Sequence, residues 1–392
     1  MMSLSADSSC RKSMQGRKVI IAGAGLMGRL IAWRCARMGA QVRVFDSASE
    51  AQPTSAAHTA AAMIAPFSER PLCDSQVFNL GCQSLNLWPE LLELLSQDSA
   101  IAVRYLQAGS LLVSHPADSA ESEQFAAQLD HHQRQQPQIY KDAVRHLNKA
   151  DIETLEPHLA NHFQTGFWMQ YEAQVDNRAL LRALREAAEH YGARFVFENP
   201  IHVSDNSWFC QDELLFADDY FDCRGIGAKK DVEGLRGVRG ETIWVTCPEV
   251  DISRPVRLLH PQYHLYLVPR GNGVYQLGAT EIESEDRSAV SVRSAMEMFS
   301  ALWCLAPALA EARIIALESN LRPACLDHKP LIQKDGKVIR INGLFRHGYL
   351  LAPALLNILE TEFNFELGVA QSKSLLLGGH SYFAEAAVCR TC

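Results

Sequence analysis

The chain has 392 residues, of which 47% are hydrophobic and 21% charged, and its formal net charge at pH 7 is -8. These proportions are typical of a globular protein, and the length predicts two packed domains. The acidic balance and the scattered basic residues argue against nucleic-acid binding. The longest apolar candidate for a membrane span, residues 350–359, is interrupted by Pro353 and Asn357, so we expect no membrane span.

The start of the chain is polar and basic, and it contains no apolar core that would indicate a secretory signal. We expect residues 1–16 to form a flexible extension. The eleven cysteines are dispersed along the chain, which favours free thiols in a reducing cytoplasm. His131 and His132 adjoin each other in a polar, helix-compatible segment, where side chains diverge, so we expect no metal site.

A glycine-rich turn follows the first predicted strand. The segment KVIIAGAGLMGRLIAWRCARMGAQVRVFD contains Gly23, Gly25 and Gly28 in the spacing GxGxxG, between a strand and a helix. Gly23 permits the tight turn, Gly25 lets the backbone approach a pyrophosphate, and Gly28 lets the helix pack on the strand. The free amides of the helix N-terminus, at Leu26 and Met27, would face the phosphates.

A second predicted strand, Gln41–Phe45, leads directly into Asp46. A carboxylate at the end of this strand can accept hydrogen bonds from a ribose diol, and it disfavours NADP because it would repel the 2′-phosphate. The order of strand, glycine turn, helix, strand and acid predicts a dinucleotide site. This fingerprint alone does not distinguish FAD from NAD.

The next segment, residues 54–66, reads TSAAHTAAAMIAP and is rich in small side chains. Its composition allows an alanine-rich helix, since alanine has the highest helix propensity. It equally allows a chain that passes close to a planar ring, with Ser55, Ala61, Ala62 and Met63 beside the cofactor. Composition leaves both interpretations open.

Several segments together resemble the D-amino-acid oxidase and glycine oxidase family of flavoenzymes. Residues 54–66 are similar to the small-residue and AAGM stretch that lies along the flavin in that family, with Ala62 in place of the glycine. The other similar segments follow in the family's order: LNKADIETLEPHL (147–159), VDNRALLRALREAAEHYGARFVF (175–197), DCRGIGA (222–228), LRPAC (321–325) and NGLFRHGYLLAP (342–353). The resemblance spans most of the chain and implies FAD as the cofactor.

The resemblance implies an α/β fold (α+β overall) in which a Rossmann-like FAD-binding domain carries an inserted substrate domain. Alternating strands at 242–246, 264–268 and 274–277 predict that the substrate domain has a mixed or antiparallel sheet. The expected limits are 17–85, 151–237 and 321–370 for the discontinuous FAD-binding domain, and 86–150 and 238–320 for the substrate domain.

The resemblance also implies which residues bind the cofactor. Ile201 aligns with the position whose backbone meets the adenine, although an ordinary strand residue would look the same. His347 stands where the family commonly has asparagine, and it either tunes the site or caps the loop. The implied FAD-binding residues are Gly23, Gly25, Leu26, Met27, Gly28, Asp46, Ser55, Ala61, Ala62, Met63, Ile201, Gly225, Arg346, His347, Gly348, Tyr349 and Leu350.

Three residues are implied to act on the substrate. Arg322 matches the family arginine that binds the substrate carboxylate, for which its planar fork offers two parallel charge-assisted hydrogen bonds. A surface salt bridge is the alternative. Tyr266 matches a tyrosine that reaches the same carboxylate, although it could instead pack in a core, and Tyr263 and His264 lie close enough to confuse the alignment. Arg346 would lie near the reacting ring.

Among the family, the chain most resembles the glycine oxidases of thiamine biosynthesis. This similarity implies oxidative deamination of a small amino acid that carries a carboxylate, most favourably glycine, with non-covalent FAD and with molecular oxygen as acceptor. A sarcosine, N-methyl or D-amino-acid oxidase or dehydrogenase is the alternative. From another class, the fold could serve as a flavin-binding partner or modifying factor for another protein.

The last segment, residues 371–392, extends past the usual end of the family and finishes with Cys389 and Cys392. One CxxC lacks the second pair of a structural zinc site, so we expect a flexible extension. We expect a cytoplasmic protein. A homo-oligomer is compatible with the sequence, which leaves the oligomeric state open.

Overall fold

The computed structural model describes residues 14–159, 161–204, 207–261 and 265–363. Their α-helices are α1 (Leu26–Arg37), α2 (Ala56–Thr59), α3 (Pro66–Glu69), α4 (Ser75–Asp98), α5 (Ser119–Gln135), α6 (Pro137–Tyr140), α7 (Lys149–Leu155), α8 (Asn177–His190), α9 (Val292–Leu305) and α10 (Gly348–Phe363). The Cys389 and Cys392 pair lies outside the described residues.

The strands, in chain order, come from all parts of the described chain. They are β1 (Lys18–Ala22), β2 (Gln41–Phe45), β3 (Met63–Ile64), β4 (Tyr105–Leu106), β5 (Ser110–Val113), β6 (Val144–Asn148), β7 (Thr165–Met169), β8 (Ala173–Val175), β9 (Arg194–Val196), β10 (Ile201–Ser204), β11 (Ser207–Cys210), β12 (Glu213–Leu215), β13 (Asp219–Asp222), β14 (Arg236–Thr246), β15 (Val256–Leu258), β16 (Tyr266–Gly271), β17 (Val274–Gly278), β18 (Arg313–Ala324), β19 (Leu331–Asp335) and β20 (Val338–Asn342).

Six strands form one sheet in the order β19-β20-β13-β1-β2-β9, called the parallel sheet below. Its central pairs are parallel, and only β19 at one edge runs antiparallel to its neighbour β20. The apolar residues of β1 are buried, as expected for a strand covered on both faces. Helices cover one face of this sheet, and the three-stranded sheet of β10, β11 and β12 packs on the other. In open parallel sheets of this kind, a dinucleotide binds at the carboxyl ends of the strands.

Helices α1, α8, α4 and α10 pack together beside the parallel sheet. In α1 the side chains of Leu30, Ile31 and Trp33 are fully buried, which explains why the helix shows apolar residues on most of its surface. The side chain of Asp176 accepts a hydrogen bond from the Ala179 amide at 2.9 Å and so caps α8.

Eight strands form a second sheet in the order β18-β14-β17-β16-β15-β5-β7-β6, called the mixed sheet below. All of its pairs are antiparallel except β15 with β5, which is parallel. The prediction of a mixed or antiparallel sheet is confirmed. Strand β7 lies in this sheet, although its residues fall within the range predicted for the FAD-binding domain.

Alternate residues of β14 face opposite sides of the mixed sheet. Ile243 and Val245 join an apolar core that is covered by α9, together with residues such as Leu277 and Met298. Gly240 and Thr242 lie on the other face and line a large cavity. The mixed sheet therefore has one face that stabilises it and one that is free to form a site.

The predicted fold class is confirmed, because the parallel sheet has Rossmann-like order and the mixed sheet is a separate layer. The domain limits stay a prediction. Within the predicted N-terminal extension, Met14 is buried against the core, so residues 14–16 belong to the folded part. Among the described residues, eight cysteines are unpaired, no helix is long and apolar enough to cross a bilayer, and no cluster of metal-ligand side chains is found.

Candidate active site

A cavity of about 1250 Å³ opens at the carboxyl ends of the central strands of the parallel sheet. Its other wall is the exposed face of β14, β16 and β18. Of the residues predicted to bind cofactor or substrate, it is lined by Gly23, Gly25, Leu26, Met27, Asp46, Ser55, Ala61, Ala62, Met63, Ile201, Gly225, Tyr266, Arg322, Arg346, His347, Gly348, Tyr349 and Leu350. The structure thus brings together motifs that are far apart in the sequence.

Gly28 is the one predicted residue that does not line the cavity. A side chain there would collide with the Gly23 carbonyl, so the residue permits close packing of α1 on the turn. Gly23 has a φ of +98°, and a Cβ on it would overlap the backbone of Cys223. These two glycines therefore shape the turn, whereas Gly25 is the glycine that faces open space in the cavity.

The N-terminus of α1 has no side-chain cap and no acidic residue in its first turn. The first amides of a helix have no partner inside the helix, so those near Leu26 and Met27 are available to an anion in the cavity. The Arg29 side chain holds the turn from behind, because its Nε donates to the Ala24 carbonyl at 2.7 Å. The turn is therefore held in place, and its free backbone amides are suited to bind a pyrophosphate.

Asp46 follows β2 at the rim of the cavity. Its two carboxylate oxygens accept hydrogen bonds from the amides of Ala24 at 2.6 Å and Ala48 at 2.8 Å. Each oxygen of a carboxylate can accept a second hydrogen bond. Asp46 is consequently held in place by the backbone while it keeps acceptor capacity for hydroxyl groups in the cavity.

The small-residue segment is only partly helical. Helix α2 ends at Thr59, and the chain then runs extended past Ala60 to the short strand β3. Ala62 has a φ of +52°, a left-handed conformation that glycine adopts more readily than alanine. The Arg270 guanidinium donates to the Ala61 carbonyl at 2.8 Å and fixes this backbone against the cavity wall.

Helix α10 begins at the cavity, with no acidic residue in its first turn. Its first residues are held from outside: the Trp88 indole donates to the Tyr349 carbonyl at 2.9 Å, and the Tyr349 hydroxyl donates to the Ala57 carbonyl at 2.9 Å.

His347 directly precedes α10. Burial lowers the pKa of His347 to about 4, so that imidazole is neutral at pH 7. The helix presents a positive dipole end to the cavity.

Arg322, on β18, is a partly buried cation without a carboxylate partner among the described residues. Its Nη1 donates to the carbonyls of Thr280 at 2.9 Å and Arg239 at 3.4 Å, and no described group accepts from Nε or Nη2. Burial lowers the pKa of the guanidinium, an effect that nearby Tyr266 opposes. The surface salt bridge that the sequence left open is therefore not formed by the described residues.

Tyr266 lies on β16 and lines the same cavity. Burial raises the pKa of its hydroxyl, while the charges of Arg322 and Arg346 act in the opposite direction. Within the described chain the hydroxyl has no hydrogen-bond partner, so it is not locked into a core. Tyr263 and His264, the neighbours with which it could be confused, lie outside the described residues.

Arg346 lines the cavity as a member of an ion-pair cluster. It donates to Glu69 at 2.5 Å and to Glu281 at 3.2 Å, and Glu69 also accepts from Arg257 at 2.8 Å. Burial raises the pKa of Glu69, but Arg346 and Arg257 outweigh it and bring the value to about 2. The positive charge of Arg346 is thus already balanced, unlike that of Arg322.

Glu69, Glu281 and Arg257 are residues that the sequence did not single out. Glu69 ends α3, just after the small-residue segment, and its neighbours Ser68 and Arg70 are polar too, so the sequence does not distinguish it from a surface residue. Arg257 reaches it from β15, and Glu281 lies past the end of β17. These residues meet only through the register of the mixed sheet, which no local pattern reveals.

The cavity fits a long dinucleotide with a planar ring. The uncapped start of α1 matches a pyrophosphate, Asp46 matches a ribose, and the small residues of the 54–66 segment leave a flat wall. At the other end, the start of α10 and the unpaired Arg322 provide positive potential for anionic groups. Both ends of the cavity therefore have groups that can bind an anionic part of a ligand.

Comparison with known proteins gives a consistent result. The sequence model of a family described as FAD dependent oxidoreductase matches residues 18–356. The putative thiamine biosynthesis oxidoreductase ThiO of Rhizobium etli is 32% identical over 338 residues, which cover 86% of this chain and 94% of that protein. The bifunctional protein ThiO/ThiG of Trichormus variabilis is 25% identical over 86% of this chain, which spans about half of that protein (51%).

A solved structure shares the fold. The glycine oxidase of Geobacillus kaustophilus superposes with a TM-score of 0.75, covering 93% of this chain and 100% of that one, at 23% sequence identity. At that identity the likeness concerns the arrangement of strands and helices alone.

Proposed function

Because the chain belongs to the family of FAD-dependent oxidoreductases, with FAD as its confirmed cofactor, we propose that it oxidises the Cα–N bond of a small amino acid. Glycine is the substrate that we favour, with glyoxylate, ammonia and hydrogen peroxide as products and molecular oxygen as acceptor. The names of the relatives, which include ThiO and a glycine oxidase of Bacillus licheniformis, support this choice. The name of the Rhizobium etli relative also supports a role in thiamine biosynthesis. We further propose that this role is in forming the thiazole ring and that the protein acts in the cytoplasm.

The observation that carries the proposal is that Arg322 has no carboxylate partner among the residues that the structure describes. A cation that is partly removed from water is stabilised when an anion accompanies it, and the other cavity arginine, Arg346, already has Glu69 and Glu281. Nε and Nη2 of Arg322 form one edge of the fork, and this edge can bind both oxygens of a carboxylate. A substrate carboxylate would complete the charge balance that the protein leaves open.

The neighbours of Arg322 have distinct tasks in this proposal. The Tyr266 hydroxyl, without a partner in the described chain, would donate a second hydrogen bond to the carboxylate. The positive charge of Arg322 would favour the neutral form of the substrate amine, because a nearby cation lowers the pKa of an ammonium group. Glu69 holds Arg346 in place at the cavity wall.

The rest of the site serves orientation and electrostatics. FAD, held by the amides at the start of α1 and by Asp46, would supply a two-electron acceptor for the hydride on the substrate Cα when bound. The amides of Gly348, Tyr349 and Leu350, at the positive end of α10, would stabilise negative charge that develops beside them. Arg322 and Tyr266 would hold the substrate so that its Cα hydrogen faces that acceptor, and no further general base is assigned.

A direct experiment is reduction of the protein-bound flavin without oxygen. Purified protein is mixed with glycine, sarcosine or D-alanine, and the visible absorbance of the flavin is followed. The proposal predicts bleaching by at least one of these amino acids, with glycine the fastest, and glyoxylate and ammonia as products after oxygen is admitted. If no amine in a broad panel bleaches the flavin, the oxidase proposal is wrong and a flavin-binding partner role gains support.

A further inference from the structure

The side chain of Arg322 crosses a neighbouring strand. Arg322 pairs with Val238 of β14, so Gly240, two residues further along β14, is its diagonal neighbour on the same face of the mixed sheet. The Nη1 atom nevertheless donates to the carbonyl of Thr280. Thr280 lies on the far side of β14, where its amide donates to the Glu241 carbonyl. The guanidinium therefore passes over the backbone of β14 at Gly240.

Gly240 leaves the space that this path needs. A Cβ built on Gly240 would lie 2.5 Å from Cζ, 2.5 Å from Nη2 and 2.6 Å from Nη1 of Arg322. Such nearly equal distances mean that the guanidinium lies face-on against the Gly240 backbone. Separations below about 3 Å do not occur between a Cβ and other heavy atoms, because they are well inside normal contact distance.

We propose that Gly240 is a positioning residue for Arg322. Its missing side chain forms a slot in the sheet face in which the guanidinium rests, with Nη1 fixed to backbone carbonyls and with Nε and Nη2 left for the substrate carboxylate. Any side chain at position 240 lifts the guanidinium out of this slot and into the cavity. The inference rests on the proposed role of Arg322, and it adds that Gly240 determines how close to the sheet the guanidinium lies.

The slot predicts that a side chain at position 240 changes carboxylate binding while the protein still folds. The atoms that would collide with an alanine at 240 belong to the far end of a flexible side chain, so Gly240→Ala can be accommodated by a shift of Arg322. Gly237→Ala is the matched control, since it lies on the same strand and opposite face. The nearest atoms to its Cβ would be side-chain atoms of Leu321, Glu285 and Ile226, at 3.2, 3.3 and 3.5 Å.

The experiment uses flavin-loaded protein and two readouts. Sodium acetate is titrated while the flavin spectrum is followed, which gives the affinity for a carboxylate, and the KM and kcat for glycine are measured. The variants are Gly240→Ala, Gly237→Ala, Arg322→Ala and the double variant with both Gly240→Ala and Arg322→Ala. Flavin content and melting temperature are measured for each.

Gly240→Ala should weaken acetate binding and raise the KM for glycine by about tenfold or more, with its flavin content retained, because loss of a charge-assisted hydrogen bond has effects of that size. Gly237→Ala should bind acetate like the parent protein. In the Arg322→Ala background, the change at Gly240 should have no further effect, because the colliding group is gone.

Two results overturn the inference, and they differ. If Gly240→Ala binds acetate normally while Arg322→Ala does not, the slot is wrong and the proposed function stands. If Arg322→Ala itself binds acetate and glycine normally, both the carboxylate role of Arg322 and the slot are wrong.

Discussion

The two ends of the cavity bind in different ways. At the α1 end, the groups available to a ligand are backbone amides held by Gly23, Asp46 and Arg29, and they depend little on side-chain identity. At the mixed-sheet end they are charged side chains, with Arg322 unpaired and Arg346 neutralised by Glu69. The first end would retain the cofactor, and the second would select the substrate, so damage to each should have separate consequences.

Arg322→Ala should produce the largest and most selective effect. Two charge-assisted hydrogen bonds to a carboxylate would be lost, which predicts a fall in kcat/KM for glycine of about a hundredfold or more. Flavin content should stay near that of the parent protein, because Arg322 lies at the mixed-sheet end. Steady-state kinetics and flavin absorbance measure both. If this variant loses flavin but binds glycine normally, Arg322 serves the cofactor and not the substrate, which would contradict its assigned role.

Gly23→Ala tests the other end. The residue has a φ of +98°, and its new Cβ would overlap the Cys223 backbone, so we expect loss of bound flavin and a destabilisation of about 2 kcal/mol or more. Gly192→Ala is the control, because Gly192 has a φ of +89° with nothing within 4 Å. Flavin retention and unfolding in urea check the result. Equal effects of both variants would mean that backbone strain alone matters at Gly23.

A buried carboxyl behind the mixed-sheet end should make stability depend on pH. Burial raises the pKa of Glu172 from 4.5 to about 7, although the Ser68 amide and hydroxyl donate to it at 2.7 and 2.6 Å. The folded protein then holds a proton that the unfolded chain loses. The contribution of Glu172 to stability should fall by about 3 kcal/mol as the pH rises from about 4.5 to about 7.

Glu172→Gln removes this proton and keeps an acceptor for Ser68. Relative to the variant, the parent protein should therefore lose free energy of unfolding between pH 4.5 and pH 7. Urea unfolding at several pH values measures the difference between the two proteins. A constant difference across this range would show that Glu172 is not protonated in the folded state.

Ala62→Gly should give the smallest effect. Ala62 is strained at a φ of +52°, and glycine removes that strain at the cost of a more flexible unfolded chain. We expect stability to change by less than about 1 kcal/mol, in the stabilising direction. Ala61→Gly, where φ is not positive, should instead destabilise by about 0.5 to 1 kcal/mol. Thermal unfolding of both variants checks the contrast, and similar shifts would refute it.

The two ends also differed in how far the sequence predicted them. Gly23, Gly25 and Asp46 were identified because a strand, a turn and a helix close in sequence determine their geometry. Arg322 was identified through a resemblance to a family motif. Glu69, Arg257 and Gly240 were missed, because they meet the site only through the pairing of β14, β15 and β18 and the packing of α3.

Gly28 has the packing role that the glycine fingerprint predicts but does not line the cavity, and Ala62 departs from the family motif. Gly28 packs on the Gly23 carbonyl. Ala62 stands where the family motif has glycine, and its backbone is left-handed in spite of the side chain. In both cases the surrounding backbone determines the conformation, and that backbone is known only once the fold is.

Arg322, which has no carboxylate partner in the described part of the chain, is proposed to recognise the substrate carboxylate. The most direct test compares the rate of anaerobic flavin reduction by glycine with that by glycinamide, which has the same amine and Cα but no negative charge. The account predicts rapid bleaching by glycine and a rate at least about a hundredfold lower for glycinamide at equal concentration of neutral amine. Equal rates for the two would contradict it.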